Sequence, residues 1–384
     1  MRIEDFTENK SGRLIKSPRG YWAFVPNPLP PKIILDIGLT HHLSEADRAI
    51  GQLAGRSRVL PNPHLLINPF IRKEAVLSSK IEGTQASLSD LFHFEALPSK
   101  ERSVSDVQEV VNYVNALEYS LARIRDFPIS LRLLKEIHFR LMEGVRGGQI
   151  TPGEFRTSQN WIGPPGCTLN EALYVPPPVP EMYDCMGEFE KFLHTVSDIP
   201  PLLRLAMIHY QFEAIHPFLD GNGRIGRLIL VLLLCAENIL PKPFIYLSVF
   251  FERHRSEYYR RLLEVSQNGA WNEWLRFFFD AVREQSIDAF DHIQRLIELR
   301  KQYRSVLLTA RTSALTLKLL DLAFSSPVVT GKMATKYLGV TPRTALKCID
   351  RLVKQGVLRE TTDRKRNRIF VATEVLKIIE TPTN

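Results

Sequence analysis

The feature that most constrains this chain is a polar run set between two apolar segments: His216-Pro217-Phe218-Leu219-Asp220-Gly221-Asn222-Gly223-Arg224-Ile225-Gly226-Arg227. Pro201 to Ile215 reads as one helix and Leu228 to Leu240 as another, so the run is predicted as a loop that opens onto a helix N-terminus. A loop of that kind suits an anion. Gly221, Gly223 and Gly226 allow positive φ and close approach to a ligand, while the free N–H groups of a helix start and the dipole behind them favour phosphate. Arg224 and Arg227 add fixed charge shaped for phosphate oxygens. Asp220 can hold one hard cation, because Mg2+ is commonly bound by one or two carboxylates plus the substrate's own phosphates. His216 is the side chain of the run whose pKa suits proton transfer near neutral pH.

This stretch resembles the signature of the Fic family, HPFx(D/E)GNGRxxR, and matches it at every specified position. The resemblance implies adenylylation, the transfer of AMP from ATP to a Tyr, Thr or Ser hydroxyl of a protein, the chain itself included. It makes His216 the base and Asp220 the Mg2+ ligand. The Gly221, Asn222 and Gly223 backbone with the Asn222 side chain becomes the phosphate cradle, continued through Ile225 and Gly226. Arg224 and Arg227 become the clamps on the pyrophosphate end. Such transfers draw most of their acceleration from positioning and charge neutralisation.

A second stretch, Ser78-x-x-x-Glu82-Gly83, closes a predicted helix from Leu66 to Glu82, with Gly83 as its stop. Glu82 in a last turn is disfavoured by the helix dipole, which raises the question of which cation it faces. The stretch is similar to the inhibitory motif (S/T)xxxE(G/N) of self-inhibited Fic proteins, and it lies N-terminal to the core. By that resemblance Glu82 pairs with Arg227 and takes the place needed by the ATP γ-phosphate, while Ser78 fixes the helix.

Residues 1 to 32, with Pro26, Pro28, Pro30 and Pro31, read as an extended arm, followed by a helix near Leu43 to Ala54. Two core helices are expected in residues 103 to 145, the first capped by Ser103 or Ser105, the second opened by Ser130 and carrying a structural His138. Thr151 to Gly163 and Ala172 to Val175 suggest a hairpin around Pro164-Pro165-Gly166. It resembles the family's flap, which implies that Asn160, Trp161, Ile162 and Gly163 border the nucleotide and that the strand edge registers the target peptide. Downstream, Tyr258 and Tyr259 resemble the family pattern at the adenine or ribose, although by sequence alone a Tyr-Tyr pair is more often core than ligand.

The formal net charge of +8 is uneven. Residues 301 to 384 hold 16 Lys and Arg against 6 Asp and Glu, and residues 1 to 300 hold 34 against 36. In that basic region a short helix from Met333 to Leu338, a turn at Gly339, a helix from Thr341 to Gln355 and a hairpin from Val357 to Val371 resemble a winged helix-turn-helix. Arg343, Lys347, Arg351 and Lys354 recur at helical spacing, and the hairpin tip Asp363-Arg364-Lys365-Arg366 is basic. DNA and a protein partner both remain open there, as do a homodimer, a nucleotide-sensing DNA-binding regulator and removal of AMP by the same site. Cys167, Cys185, Cys235 and Cys348 show no metal or disulfide spacing, the N-terminus is wrong for a signal peptide, and the longest apolar run, Leu228 to Ala236, is about half a membrane span. The expectation is a cytoplasmic, mainly α protein: a Fic-type helical bundle with a small β-hairpin flap plus a C-terminal winged-helix domain. Residues 1–100 form the arm and inhibitory region, 101–285 the catalytic core, 286–314 linking helices and 315–384 the winged helix.

Overall fold

The computed structural model describes residues 1–7, 11–58, 60, 63–96, 106–144, 151–310, 312–362 and 367–381. The expected arm is a hairpin: β1 (Gly12–Lys16) pairs antiparallel with β2 (Trp22–Pro26), Gly12 opposite Pro26 and Lys16 opposite Trp22. The alternation that marks a strand is short here and its neighbours are prolines, which hides it in the sequence.

Helix α1 (Ile37–Arg58) exceeds the expected span at both ends, and at the first Asp36 accepts the Leu39 N–H at 2.7 Å and starts it six residues earlier than hydrophobicity suggests. It buries Leu39, Leu43, Ala46, Ile50 and Leu53, a stripe of alternating steps of four and three that suits a long helical partner. Helix α2 (His64–Ile81) ends with Glu82 as its C-cap residue and Gly83 at φ 106, so the predicted glycine stop holds. After α3 (Leu88–Ala96) comes α4 (Asp106–Arg123), and the caps expected at Ser103 or Ser105 lie outside the described residues. In α5 (Leu131–Leu141), Ser130 caps the start by accepting the Leu133 N–H.

The flap departs from the expected hairpin. Among the described residues, residues 151–178 contain one bridge, Ile162 with Tyr174, and no ladder. Pro164, Pro165 and Pro176 to Pro178 remove the donors that a second pair needs. Helix α6 (Val179–His194) then leads to α7 (Pro201–Ile215), which is buried at every residue from Leu202 to Ile215 except Glu213. Helix α8 (Asn222–Ala236) starts earlier than the expected Leu228, so Asn222 to Arg227 are its first turns. Short α9 (Ser248–Arg253) and α10 (Arg255–Asn268) precede α11 (Trp271–Thr309), a 39-residue helix that packs along α1 and runs through the expected boundary at 285 without a break.

The C-terminal unit comprises α12 (Ala314–Ser325), β3 (Val328–Thr330), α13 (Gly331–Leu338), α14 (Pro342–Lys354), β4 (Arg359–Glu360), β5 (Ile369–Val371) and α15 (Thr373–Glu380). Its sheet runs β3-β5-β4, all antiparallel. Thr341 caps α14 with Pro342 behind it, as the sequence predicts, whereas β3 and α15 carry no turn signal strong enough to announce them. The basic tip Asp363 to Arg366 lies outside the described residues. Helices α12 and α15 pack on α2, and β3 meets α3, so this unit rests on the helix that precedes Glu82.

Candidate nucleotide site

Helix α7 ends at His216, whose φ of 50° and ψ of 60° are left-handed, an uncommon conformation for a residue with a side chain. The conformation is held from outside: Arg156 Nε donates to the His216 carbonyl at 3.0 Å and Asn160 Nδ2 donates to it at 3.1 Å. The ring is fixed as well, with Nδ1 at 3.2 Å from the Glu213 carbonyl. A carbonyl only accepts, so Nδ1 carries the proton and Nε2 keeps a bare lone pair. Burial pushes the imidazole down to about 4, and it is therefore neutral across the physiological range.

The loop after His216 is tied down by the residues that the sequence offered as phosphate ligands. Asn222 uses its amide on Phe218, accepting the N–H and donating to the carbonyl, both at 2.8 Å. Its side chain therefore shapes the loop and is not free for phosphate. Asn160 likewise donates to the Phe218 carbonyl, and His138 stacks on the Phe218 ring at 3.9 Å while meeting the Asp220 carbonyl at 3.1 Å. Only Gly221 of the three glycines has positive φ, at 78°. Gly223 and Gly226 lie within α8 and are needed for clearance: a side chain at 223 meets Glu82 and Arg227, and one at 226 meets the Glu213 carboxyl. Gly226→Ala is expected to destabilise the chain by about 1–3 kcal/mol in urea unfolding, although alanine ordinarily favours a helix, and Glu213→Ala should remove most of that cost. Equal losses in both backgrounds would refute the clash.

At the start of α8, the N–H groups of Asn222, Gly223 and Arg224 have no acceptor among the described residues, which makes an anion site. An anion already stands there. The Glu82 carboxylate lies beside Gly223 and meets Arg227 Nη2 at 2.6 Å. Ser78 adds its hydroxyl, which accepts from Arg227 Nε at 2.9 Å, and its carbonyl, which accepts from Nη2 at 2.8 Å. Burial disfavours the Glu82 charge, but the Arg227 guanidinium outweighs it and holds the carboxyl below its ordinary value. Arg227 is 1% exposed, with Nη1 left without a partner among the described residues, while Glu82 is 34% exposed. Arg224 is held differently, by Glu109 on α4 at 3.1 Å. Glu109 was not legible in the sequence as part of the site, since an isolated glutamate on an amphipathic helix carries no signal.

A cavity of about 600 Å³ adjoins this point, lined by Glu82, Gly223 and His216 and by Trp161, Leu173, Tyr259 and Leu262 among others. Ile162 and Gly163 also line it, as the flap resemblance implies, whereas Asn160 stands behind it. Tyr259 faces the cavity, but Tyr258 does not: it is 1% exposed and bonds His209 Nε2 at 2.8 Å in the core between α7 and α10. Ile225 is fully buried and serves packing. Asp220 is half-exposed and offers an oxygen to one hard cation, which fits an ion that completes its shell with phosphate oxygens and water. Among the described residues no cluster of three or more His, Cys, Asp or Glu could hold a metal without such help. The four cysteines are free thiols.

Fold and site together define a helical-bundle protein with an anion-binding helix start beside a cavity, joined to a winged-helix unit. Residues 40–122 match the Fic/DOC family N-terminal region, residues 128–234 the Fic/DOC family and residues 317–370 an HTH DNA-binding domain. The chain is a Fic/DOC family member with a C-terminal helix-turn-helix domain. It is 31% identical over 194 residues to the protein adenylyltransferase Fic of Aedes aegypti and 28% over 192 residues to that of Drosophila erecta, each match taking in 49% of this chain and 35% of the relative. The chain thus spans about a third of the length of these relatives. Its fold is that of a Fic family protein from Desulfovibrio desulfuricans, at TM-score 0.55 and 18% identity over 90% of this chain and 98% of the other. Fic-1 of C. elegans gives 0.52 and 21% over 67% and 74%. No described helix is long and apolar enough to cross a membrane.

Proposed function

We propose that the chain transfers AMP from ATP to a protein hydroxyl and that Glu82 holds the transfer low. The observation that carries the reading is the Glu82–Arg227 pair, closed by Ser78, lying over the anion-binding start of α8. In the step itself the acceptor oxygen forms a bond to the α-phosphorus as the bond from that phosphorus to the pyrophosphate oxygen breaks. The hydroxyl proton passes to His216 Nε2, and pyrophosphate leaves towards Arg227 and the α8 N–H groups. Mg2+, when bound at Asp220, supplies charge neutralisation on the phosphates. Trp161 and Leu173, 41% and 56% exposed beside the Ile162–Tyr174 bridge, give the target segment an apolar, strand-like edge to lie along. The test is intact mass after incubating the Glu82→Gly chain with ATP and Mg2+, alone and with His216→Ala. A gain of one AMP that depends on His216 supports the reading, and its absence with nucleotide still bound sinks transfer to the chain itself.

The C-terminal unit supports a second role, DNA binding, because Arg343, Lys347, Arg351 and Lys354 are all exposed along α14. Cations so placed act on phosphates and confer affinity before sequence choice. The expected result is duplex binding whose log affinity falls with log salt at a slope of about −3 to −4, and Arg343→Ala with Lys347→Ala should make it shallower by about 2. A protein-contact surface predicts no duplex affinity at low salt.

A further inference from the structure

Glu213 breaks the pattern of its own helix. Every other residue from Leu202 to Ile215 is buried, and Glu213, beside Tyr210 and Ala214 of the same helix, brings a carboxyl to the lining of the nucleotide cavity. Its carboxyl has no hydrogen-bond partner among the described residues, and Oε1 is shut off from solvent against Gly226. A carboxyl left without a donor is costly, and an interior site that keeps one is keeping it for something that arrives.

Its position says what arrives. The cavity it lines also takes in Glu82, Gly223 and His216, beside the start of α8, and the side chains of Trp161, Leu173, Tyr259 and Leu262. Glu213 lies one helical turn before His216, so it stands about 5 Å along α7 from the residue that faces the reacting phosphorus. In a nucleotide the group one ester link from the α-phosphorus is the sugar. Ribose carries two adjacent hydroxyls, both donors, and a carboxyl is the group that dinucleotide-binding folds also place against them. We propose that Glu213 receives the ribose hydroxyls and so selects ribonucleotides at this site.

The proposal rests on the nucleotide reading above, and its test separates the two. ADP lacks the γ-phosphate whose place Glu82 takes, so it suits the wild-type chain. Affinities for ADP and 2′,3′-dideoxy-ADP are compared by calorimetry for the full wild-type chain, Glu213→Gln and Glu213→Ala, with thermal unfolding of each. The expected ratio favours ADP by about tenfold in the wild type, falls in Glu213→Gln and approaches one in Glu213→Ala. A wild-type ratio near one overturns the proposal even if the variants fail to fold, while leaving the nucleotide site standing. So does a ratio that survives Glu213→Ala with both affinities lowered alike, which would mean that Glu213 acts through Arg227. No binding of either nucleotide to the wild type overturns the site reading and the proposal together.

Discussion

Glu82→Gly raises the rate of AMP transfer by about 10- to 100-fold over the wild type, read as label incorporated from ATP labelled at the α-phosphate. The magnitude follows from what Arg227 is doing. Its Nη2 is shared between the Glu82 carboxylate and the Ser78 carbonyl, its Nε is given to the Ser78 hydroxyl, and the carboxylate lies beside Gly223 where a phosphate has to come. A hydrogen bond to a charged group contributes about 1.5–3 kcal/mol, and a triphosphate that must displace it loses that much in its productive pose. Each 1.4 kcal/mol is about tenfold in rate. Glycine is tolerated at the position because Glu82 sits at the helix end with αR dihedrals. The same variant leaves the buried Arg227 short of a partner, so it should lose about 1–3 kcal/mol of stability and recover it on ATP binding. Turnover equal to the wild type, with ATP bound, would show that the pair is structural and does not control the site.

What the sequence made legible here is the chemistry packed into contiguous residues. His216, Asp220 and Arg227 stand in one run, and Ser78 and Glu82 share a helical turn, so spacing alone brings each set together. The mainly helical bundle and the winged unit were legible for the same reason, through periodicity and through caps such as Ser130 and Thr341. Contacts that depend on tertiary approach were not. Glu109 reaches Arg224 from α4, and Glu213 meets Gly226 across two helices, and neither carries a local mark. The roles of Asn222 and Tyr258 moved for a related reason. Both are polar residues in a nucleotide-like pattern, yet each finds a nearer partner inside the protein, Phe218 for one and His209 for the other. Reading Asn222 to Arg227 as loop also misplaced the glycines, since a helix beginning at Asn222 makes Gly223 and Gly226 matters of clearance.

His216→Ala in the Glu82→Gly chain lowers kcat by about 10²- to 10⁴-fold, the usual contribution of a positioned base, while ADP affinity stays within about threefold. The two readouts are expected to differ because the proposed transfer sets the imidazole against the acceptor oxygen and leaves the phosphates to α8 and Arg227. The pH dependence carries more information than the loss itself. In the free protein burial pushes His216 down to about 4, the Glu213 carbonyl working in the other direction, so the neutral base is present throughout pH 5 to 8. The acid limb of kcat/KM, which reports the free enzyme, should therefore fall well below the ordinary 6.5 of a histidine. Removing Glu82 takes away one charge that raises His216, which moves the limb lower still. Bound triphosphate reverses this by placing several negative charges beside the ring, and those favour the imidazolium that forms as the proton arrives. The limb of kcat is thus expected at higher pH than the limb of kcat/KM. Coincident limbs near 6.5 would mean that the ring is solvated in both states, and that its left-handed backbone and the Arg156 and Asn160 N–H groups donated to its carbonyl do not keep it in the buried position seen here.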